Sequence, residues 1–227
     1  MKYDWILFDA DETLFHFDAF KGMQLMFERM GVEYTQDDFA QYQQINKPLW
    51  VDYQNGTITA DDIKHIRFKG YAEQFNTTTS ALNSAFLDAM ADICSMLPHA
   101  RELLEALAGK AKLGIITNGF TELQQVRLAK MGLSDTFEQV VISEQVGVAK
   151  PDAGIFDYTM EKIGQPCKSK VLMVGDNLHS DVLGGVNYGI DTCWLNRSEE
   201  AHAPMIVPSY TVSCLSQLQA ILLSEAQ

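Results

Sequence analysis

The chain has 227 residues, of which 47% are hydrophobic and 21% are charged, a composition typical of ordinary globular proteins. Its formal net charge of -13 argues against a nucleic-acid polymer or an anionic membrane as a partner. No run of about twenty apolar residues is present, so we expect no membrane-spanning helix. The length suits one large domain, or one domain with a smaller insertion.

The four cysteines are widely scattered and show no paired spacing of the zinc-ligand type. Cys94, Cys167, Cys193 and Cys214 are therefore predicted to be reduced thiols in or near the core of a cytoplasmic protein.

The first predicted element is a buried strand formed by the apolar run Trp5-Ile-Leu-Phe. Two carboxylates, Asp9 and Asp11, follow it directly, and the alternation of side chains places them on the same side. Ligands of open parallel sheets bind beyond the carboxyl ends of the strands. Because nearby carboxylates repel each other, the pair indicates either a hard metal ion or a nucleophile beside a proton donor.

No convincing strand occurs between residue 15 and about residue 97. Apolar residues at helical spacing, separated by turn signals, predict a small helical bundle. Its predicted helices cover residues 17–30, 36–53, 59–75 and 79–94. We expect Thr59 to cap the third helix together with Asp62.

From residue 98 onward, predicted helices and strands alternate. The helices cover residues 98–109, 120–131, 152–163, 178–188 and 215–223. The strands cover residues 112–117, 139–142, 171–174, 192–195 and 210–212. Alternation of this kind predicts an α/β fold, a parallel sheet with helices on both faces. We therefore assign residues 1–14 and 98–227 to the core and residues 15–97 to an inserted helical cap.

Polar residues follow several predicted strands. Thr117 and Asn118 end the second strand just before a helix, where a hydroxyl and backbone N–H groups can cradle a phosphate. Lys150 offers a cation before another helix, and Asp176 and Asp181 follow the fourth strand. We expect Thr117 and Lys150 to hold phosphoryl oxygens while charge shifts during transfer.

These residue types suit phosphoryl transfer. Asp9 can attack phosphorus and form an aspartyl phosphate, and Asp11 can act as the acid and then the base. Mg²⁺, or Mn²⁺ in its place, would be held by Asp9, Asp176 and the Asp11 backbone carbonyl. Asp181 is assigned to the same metal site, where it would orient a metal-bound water or Lys150. The alternative is that Asp181 is simply a first-turn helix acid favoured by the dipole.

Four motifs in order, DADET, IITNG, VAKP and GDNLHSD, resemble those of the haloacid dehalogenase-like hydrolases. The resemblance implies a Rossmann-like core with a helical cap inserted after the first motif. It also implies the roles given above for Asp9, Asp11, Thr117 and Lys150, with metal binding at Asp9, Asp11 and Asp176. Dehalogenases of this family lack the second acid of the first motif, so Asp11 favours a phosphatase.

Longer stretches, among them NKPLWVDYQNGTIT in the cap, are similar to the bacterial pyrimidine 5'-nucleotidases of this family. That resemblance implies dephosphorylation of dUMP, UMP, dTMP and non-canonical pyrimidine nucleotides. Two alternatives stay open: a phosphatase of another small ester, such as phosphoglycolate or a sugar phosphate, and a low-turnover binding or regulatory module.

Discrimination between phosphate esters must come from the predicted cap. Asn46, Trp50 and Tyr53 lie four and three residues apart and so share a helix face. We predict that this face, through Trp50, or else the aromatic rings of the hinge over residues 15–20, contacts the base, stacking being worth about 1–3 kcal/mol per base. The alternative is that Trp50 belongs to the cap core.

Overall fold

The computed structural model describes residues 1–201 and 203–224. The predicted core extends to residue 227, so residues 202 and 225–227 of that assignment lie outside the described residues. No helix within the described ranges is both long enough and apolar enough to cross a bilayer.

Six parallel strands form one sheet in the order β3-β2-β1-β4-β5-β6. The strands are β1 (Trp5–Phe8), β2 (Lys112–Thr117), β3 (Gln139–Ile142), β4 (Val171–Gly175), β5 (Asp191–Leu195) and β6 (Tyr210–Val212). Strand β1 lies in the interior of the sheet, where Trp5 is in register with Lys112 on one side and Val171 on the other. The predicted parallel α/β fold is confirmed, with every predicted strand present.

Eleven α-helices are described. In chain order they are α1 (Ala19–Arg29), α2 (Gln36–Gln54), α3 (Ala60–Ile66), α4 (Lys69–Gln74), α5 (Thr79–Ile93), α6 (Ala100–Leu107), α7 (Thr121–Lys130), α8 (Ser143–Val146), α9 (Ala153–Lys162), α10 (Leu183–Tyr188) and α11 (Leu215–Ser224). A 3₁₀ turn covers Lys168–Lys170, and a π-helical turn over Leu178–Val182 leads into α10.

The chain divides into two compact units. The first comprises Met1–His16, Ser95–Gly119 and the described part of Met131–Gln227, and contains the sheet. Its core is apolar, with Leu7, Ile116 and Met173 packed in one buried cluster. All four residues of β1 are buried, which explains why its sequence is a continuous apolar run rather than an alternating one.

The second unit comprises Phe17–Cys94 and Phe120–Lys130 and is entirely helical. Its core is rich in aromatic rings, for example Phe27 stacked on Tyr34 with ring centroids 4.7 Å apart. The capping box between Thr59 and Asp62 is present as expected.

The predicted helix over residues 59–75 is in fact two helices, α3 and α4. Phe68 adopts φ -108° and ψ 2°, which interrupts the regular helix. Arg67 and Phe68 are both buried at this break.

Two further details differ from the sequence-based expectations. Helix α7 belongs to the helical unit, whereas the predicted boundaries placed it in the core. All four cysteines are free thiols, but only Cys193 is buried and Cys167 is exposed. The expectation that all four lie in or near the core is therefore wrong for Cys167, which precedes a surface 3₁₀ turn.

Candidate active site

Asp9 is the first residue after β1 and lies where that strand ends between its neighbours. Its backbone N–H donates to the carbonyl of Val174 in β4 at 2.8 Å. The residue is only 8% exposed. Asp11 is half-buried in the turn that follows, and Glu12 beside it adopts a left-handed backbone with φ 56°. The short spacing between the two acids thus places one at the strand end and one in the turn.

Lys150 approaches Asp9 from a loop 141 residues later in the chain. Its ammonium group has three acceptors: Asp9 Oδ1 at 2.6 Å, the carbonyl of Ile116 at 2.6 Å and Asp181 Oδ1 at 2.7 Å. The Lys150–Pro151 peptide is cis. Since an ammonium has three N–H donors, Lys150 is fully engaged by these groups.

Asn118 holds Lys150 in place through its backbone. The side-chain Nδ2 donates to the carbonyl of Lys150 at 2.9 Å, and Oδ1 accepts from its N–H at 2.8 Å. The amide of Asn118 is therefore used to position Lys150.

Thr117 is buried at the end of β2. Its Oγ1 accepts the N–H of Gly119 at 3.1 Å, and among the described residues its side chain makes no other hydrogen bond. The hydroxyl hydrogen of Thr117 is thus available to a ligand.

Asp181 is buried on the π-helical turn and accepts hydrogen bonds through both oxygens. Oδ2 accepts the N–H of Asn177 at 3.1 Å, and Oδ1 accepts the hydroxyl of Ser180 at 3.2 Å as well as pairing with Lys150. A Cβ on Gly175 would lie 2.2 Å from Asp181 Oδ2. Glycine at the end of β4 is therefore what allows Asp181 this position.

Asp176 is fixed by the turn after β1. Its N–H donates to Thr13 Oγ1 at 3.0 Å, and the Thr13 hydroxyl is 3.4 Å from Asp176 Oδ1. The indole N–H of Trp194 donates to the Asp176 carbonyl at 2.8 Å. The carboxylate is thus oriented from two sides.

The electrostatics of the cluster favour a bound cation. Burial raises the pKa of Asp9 well above its ordinary value, and Asp181 and Asp176 raise it further while Lys150 opposes them. Burial, with repulsion from Asp181, raises the pKa of Asp176 to about 7. Burial would lower the pKa of Lys150, but Asp181 and Asp9 outweigh it and raise that pKa. Asp9 and Asp181, which both pair with Lys150, and the half-buried Asp176 beside them therefore place three carboxylates around a single ammonium.

The same carboxylates have the composition of a hard-metal site. One oxygen each from Asp9, Asp176 and Asp181 lies within 4.8 Å of the other two. Oxygen donors of this kind suit Mg²⁺. The pKa values of Asp9 and Asp176 are raised partly because neighbouring carboxylates repel each other. A bound divalent cation would neutralise this excess of negative charge.

The structure brings together most of the residues singled out in the sequence. Contacts or close approach join Asp9, Asn118, Lys150, Asp176 and Asp181. Thr117 directly precedes Asn118 at the end of β2, and Asp11 lies in the turn after Asp9. Trp50 lies in the helical unit, half-buried, with its ring 6.0 Å from that of Tyr53 and 5.4 Å from that of Phe120.

Sequence reasoning missed Thr13 and Trp194. Thr13 is the last residue of the DADET motif that begins at Asp9, and this position in the motif could have identified it as a site residue. Trp194 had no local signal, because its contact with Asp176 joins the ends of two different strands.

A parallel sheet with a cluster of carboxylates and a lysine beyond its strand ends is an arrangement that suits a hydrolase. Comparison with known proteins identifies the family. The family described as haloacid dehalogenase-like hydrolase matches residues 3–189. The chain belongs to this family and is an enzyme of the hydrolase class. The resemblance drawn from the four motifs is thereby confirmed.

Particular relatives are similar over nearly the whole chain. Pyrimidine 5'-nucleotidase YjjG of Escherichia coli (strain K12) is 56% identical over 222 residues, covering 98% of this chain and 99% of that protein. Pyrimidine 5'-nucleotidase PynA of Streptococcus pneumoniae is 35% identical, covering 93% and 92% respectively. The magnesium-bound crystal structure of HAD hydrolase YfnB from Bacillus subtilis has a TM-score of 0.84 at 31% identity, covering 98% and 99%.

Proposed function

We propose that the enzyme is a magnesium-dependent pyrimidine nucleoside 5'-monophosphate phosphohydrolase acting on dUMP, UMP, dTMP and non-canonical pyrimidine nucleotides. The observation that carries this proposal is 56% identity, over 98% of the chain, to a pyrimidine 5'-nucleotidase. The buried cluster of Asp9, Lys150, Asp176 and Asp181 supplies groups suited to phosphoryl transfer.

In the proposed reaction, a carboxylate oxygen of Asp9 attacks phosphorus and the bond from phosphorus to the nucleoside 5'-oxygen breaks. Asp11, in its acid form, gives its proton to that leaving oxygen. The resulting aspartyl phosphate on Asp9 is then attacked at phosphorus by water, whose proton Asp11 takes. Orthophosphate leaves, and both carboxyl groups return to their starting states.

Lys150 and Thr117 would stabilise charge in the first step. Lys150 donates to Asp9 Oδ1 at 2.6 Å, so it orients the attacking carboxylate and favours its ionised form. The hydroxyl of Thr117 and the backbone N–H groups that follow it would donate to phosphoryl oxygens. Asn118 would act through Lys150, whose backbone it holds on both sides.

Asp9, Asp176 and the backbone carbonyl of Asp11 would hold Mg²⁺, or Mn²⁺ in its place. When bound, the cation would neutralise phosphoryl oxygens and the surplus of carboxylates. Asp181 would orient Lys150, since its Oδ1 lies 2.7 Å from that ammonium.

The helical unit, within proposed cap limits of residues 15–97, would select the base. Half-buried Trp50 would stack on the pyrimidine. The Bacillus relative's magnesium-bound structure reveals interdomain movement, and we propose a comparable movement here for substrate entry. Free thiols at all four cysteines agree with the proposed cytoplasmic location.

A panel of phosphate esters with Mg²⁺ tests the proposal. It should include dUMP, UMP, dTMP, phosphoglycolate, a sugar phosphate and an aryl phosphate, each with and without EDTA. We expect the highest kcat/KM on the pyrimidine nucleotides and no activity in EDTA. Preference for a sugar phosphate or phosphoglycolate would favour the other phosphatase, and no turnover of any ester would favour a binding module.

A further inference from the structure

Gln124 is a buried amide with no hydrogen-bond partner in the described chain. It lies on α7 and is 1% exposed, yet neither its Oε1 nor its Nε2 makes a hydrogen bond there. Buried polar groups in proteins are nearly always paired, so a fully unused donor and acceptor requires an explanation. The next residue, Gln125, is exposed.

Arg67 shows a similar shortfall in the same helical unit. Arg67 is 4% exposed and its Nη2 donates to Asn83 Oδ1 at 2.5 Å. The Tyr42 hydroxyl is a further partner of the guanidinium, but Nε has no partner within the described residues. Within those residues no carboxylate forms an ion pair with it. Its charge lies instead over aromatic rings, among them Phe120 at 5.0 Å and Phe86 at 5.1 Å.

Phe120 lies one helical turn before Gln124 and its ring lies under the guanidinium of Arg67. The backbone N–H of Gln124 donates to the Phe120 carbonyl at 3.3 Å, so the two residues are one helical turn apart and share a face. The ring of Phe120 contacts both Arg67 and Trp50. Along the chain, Phe120 directly follows the Thr117-Asn118-Gly119 segment.

The unused atoms match the hydrogen-bonding edge of uracil or thymine. That edge offers a carbonyl oxygen, an N3–H donor and a second carbonyl oxygen. A primary amide can donate to one carbonyl and accept from N3–H at the same time, and a guanidinium N–H can donate to a carbonyl. A site built to bind such groups rejects analogues that lack them.

We propose that Gln124 is a specificity-determining residue that reads the N3–H and an adjacent carbonyl of the pyrimidine, with Arg67 Nε donating to a carbonyl oxygen. This inference rests on the proposed function and names the groups that would recognise its substrate. Because both side chains are buried, binding of the base requires the groups that cover them to move. Trp50 is half-buried, and its ring lies 5.4 Å from that of Phe120.

The test compares dUMP with its N3-methyl analogue in the full-length enzyme. Wild type should prefer dUMP by about 10-fold or more in kcat/KM. Gln124→Met should reduce that preference toward one, while the matched control Gln125→Met keeps it. Because the wild-type amide has no partner to lose, the melting temperature of Gln124→Met should equal or exceed that of wild type.

Other results would overturn the proposal. If Gln124→Met does not fold, Gln124→Leu repeats the test with a different apolar shape. A folded variant that keeps the wild-type preference refutes the reading role, as does a lowered melting temperature with equal losses on both nucleotides. Wild type with no preference for dUMP over sugar phosphates would instead refute the proposed function, and this inference with it.

Discussion

Each of the two compact units buries a cationic side chain, and the groups that surround the cation differ between the units. Lys150 in the sheet unit is matched by two carboxylates and a carbonyl at 2.6 to 2.7 Å. Arg67 in the helical unit has the Asn83 amide oxygen, the Tyr42 hydroxyl and several aromatic rings as its partners, and no carboxylate among the described residues. A buried site with charged groups can stabilise the charge that develops in a transition state. Aromatic rings and unused N–H groups suit the binding of a flat, polar ligand. The difference agrees with the proposed division, in which the sheet unit performs the chemistry and the helical unit selects the substrate.

Removing the proposed nucleophile, Asp9, should give the largest effect and leave the helical unit intact. Asp9→Asn replaces the attacking oxygen, so we expect activity below about 0.1% of wild type on every phosphate ester. Steady-state assays on dUMP and an aryl phosphate measure this. The control is Asp4→Asn, at an exposed position just before β1. Activity above a few per cent on either substrate would contradict the covalent route.

The second largest loss of activity is expected when the buried ammonium of Lys150 is removed. Lys150→Ala leaves Asp9 and Asp181 without their shared cation, so we expect kcat to fall by about 100-fold or more. Separate determination of kcat and KM checks this, with exposed Lys162→Ala as the control. A normal kcat with only a raised KM would show that Lys150 acts in ground-state binding.

A substitution in the helical unit should lower the hydrolysis of nucleotides more than the hydrolysis of simple phosphate esters. Trp50→Ala should lower kcat/KM for dUMP by about 10-fold, the usual worth of stacking on a base. The ratio of dUMP to aryl phosphate activity measures this, and exposed Val51→Ala on the same helix is the control. Equal losses on both substrates with a lower melting temperature would place Trp50 in the cap core.

The smallest expected effect is a pH dependence of the free energy of unfolding in the metal-free protein. Burial raises the pKa of Asp176 to about 7, above its unfolded value, so the folded protein binds protons more tightly than the unfolded chain. Stability should therefore fall as pH rises from about 5 to about 7, by at most about 1.4 kcal/mol per pH unit for this group. Burial raises the pKa of Asp9 as well, which gives the same sign.

Urea denaturation in EDTA at pH 5.5 and 7.5 measures this slope, and Asp176→Asn should flatten it. The carboxyls whose pKa is lowered, such as Asp92, titrate below this window and do not contribute to it. Stability that increases between the two pH values in wild type would contradict the prediction.

The sheet was predictable because its strands are short apolar runs, and each predicted strand lies within one residue of its observed bounds. Strand-end polarity likewise identified Asp9, Lys150 and Asp176. Their partners were not predictable, because contacts such as Lys150 to Asp9 join residues far apart in the chain. The positioning role of Asn118 and the break at Phe68 also depend on tertiary contacts that no local pattern carries.

The helical unit is not a contiguous insert, since α7 belongs to it although the chain returns to the sheet unit between Cys94 and Phe120. Lys130 on α7 donates to the carbonyl of Ala91 on α5 at 3.2 Å and pairs with Asp92. Exchange of residues 17–94 with another family member would separate α5 from the helix it evolved against. A chimaera meant to transfer the proposed substrate choice of the helical unit must therefore carry two segments, 17–94 and 120–130. Recombination at a single pair of junctions would pair α5 of one protein with α7 of the other.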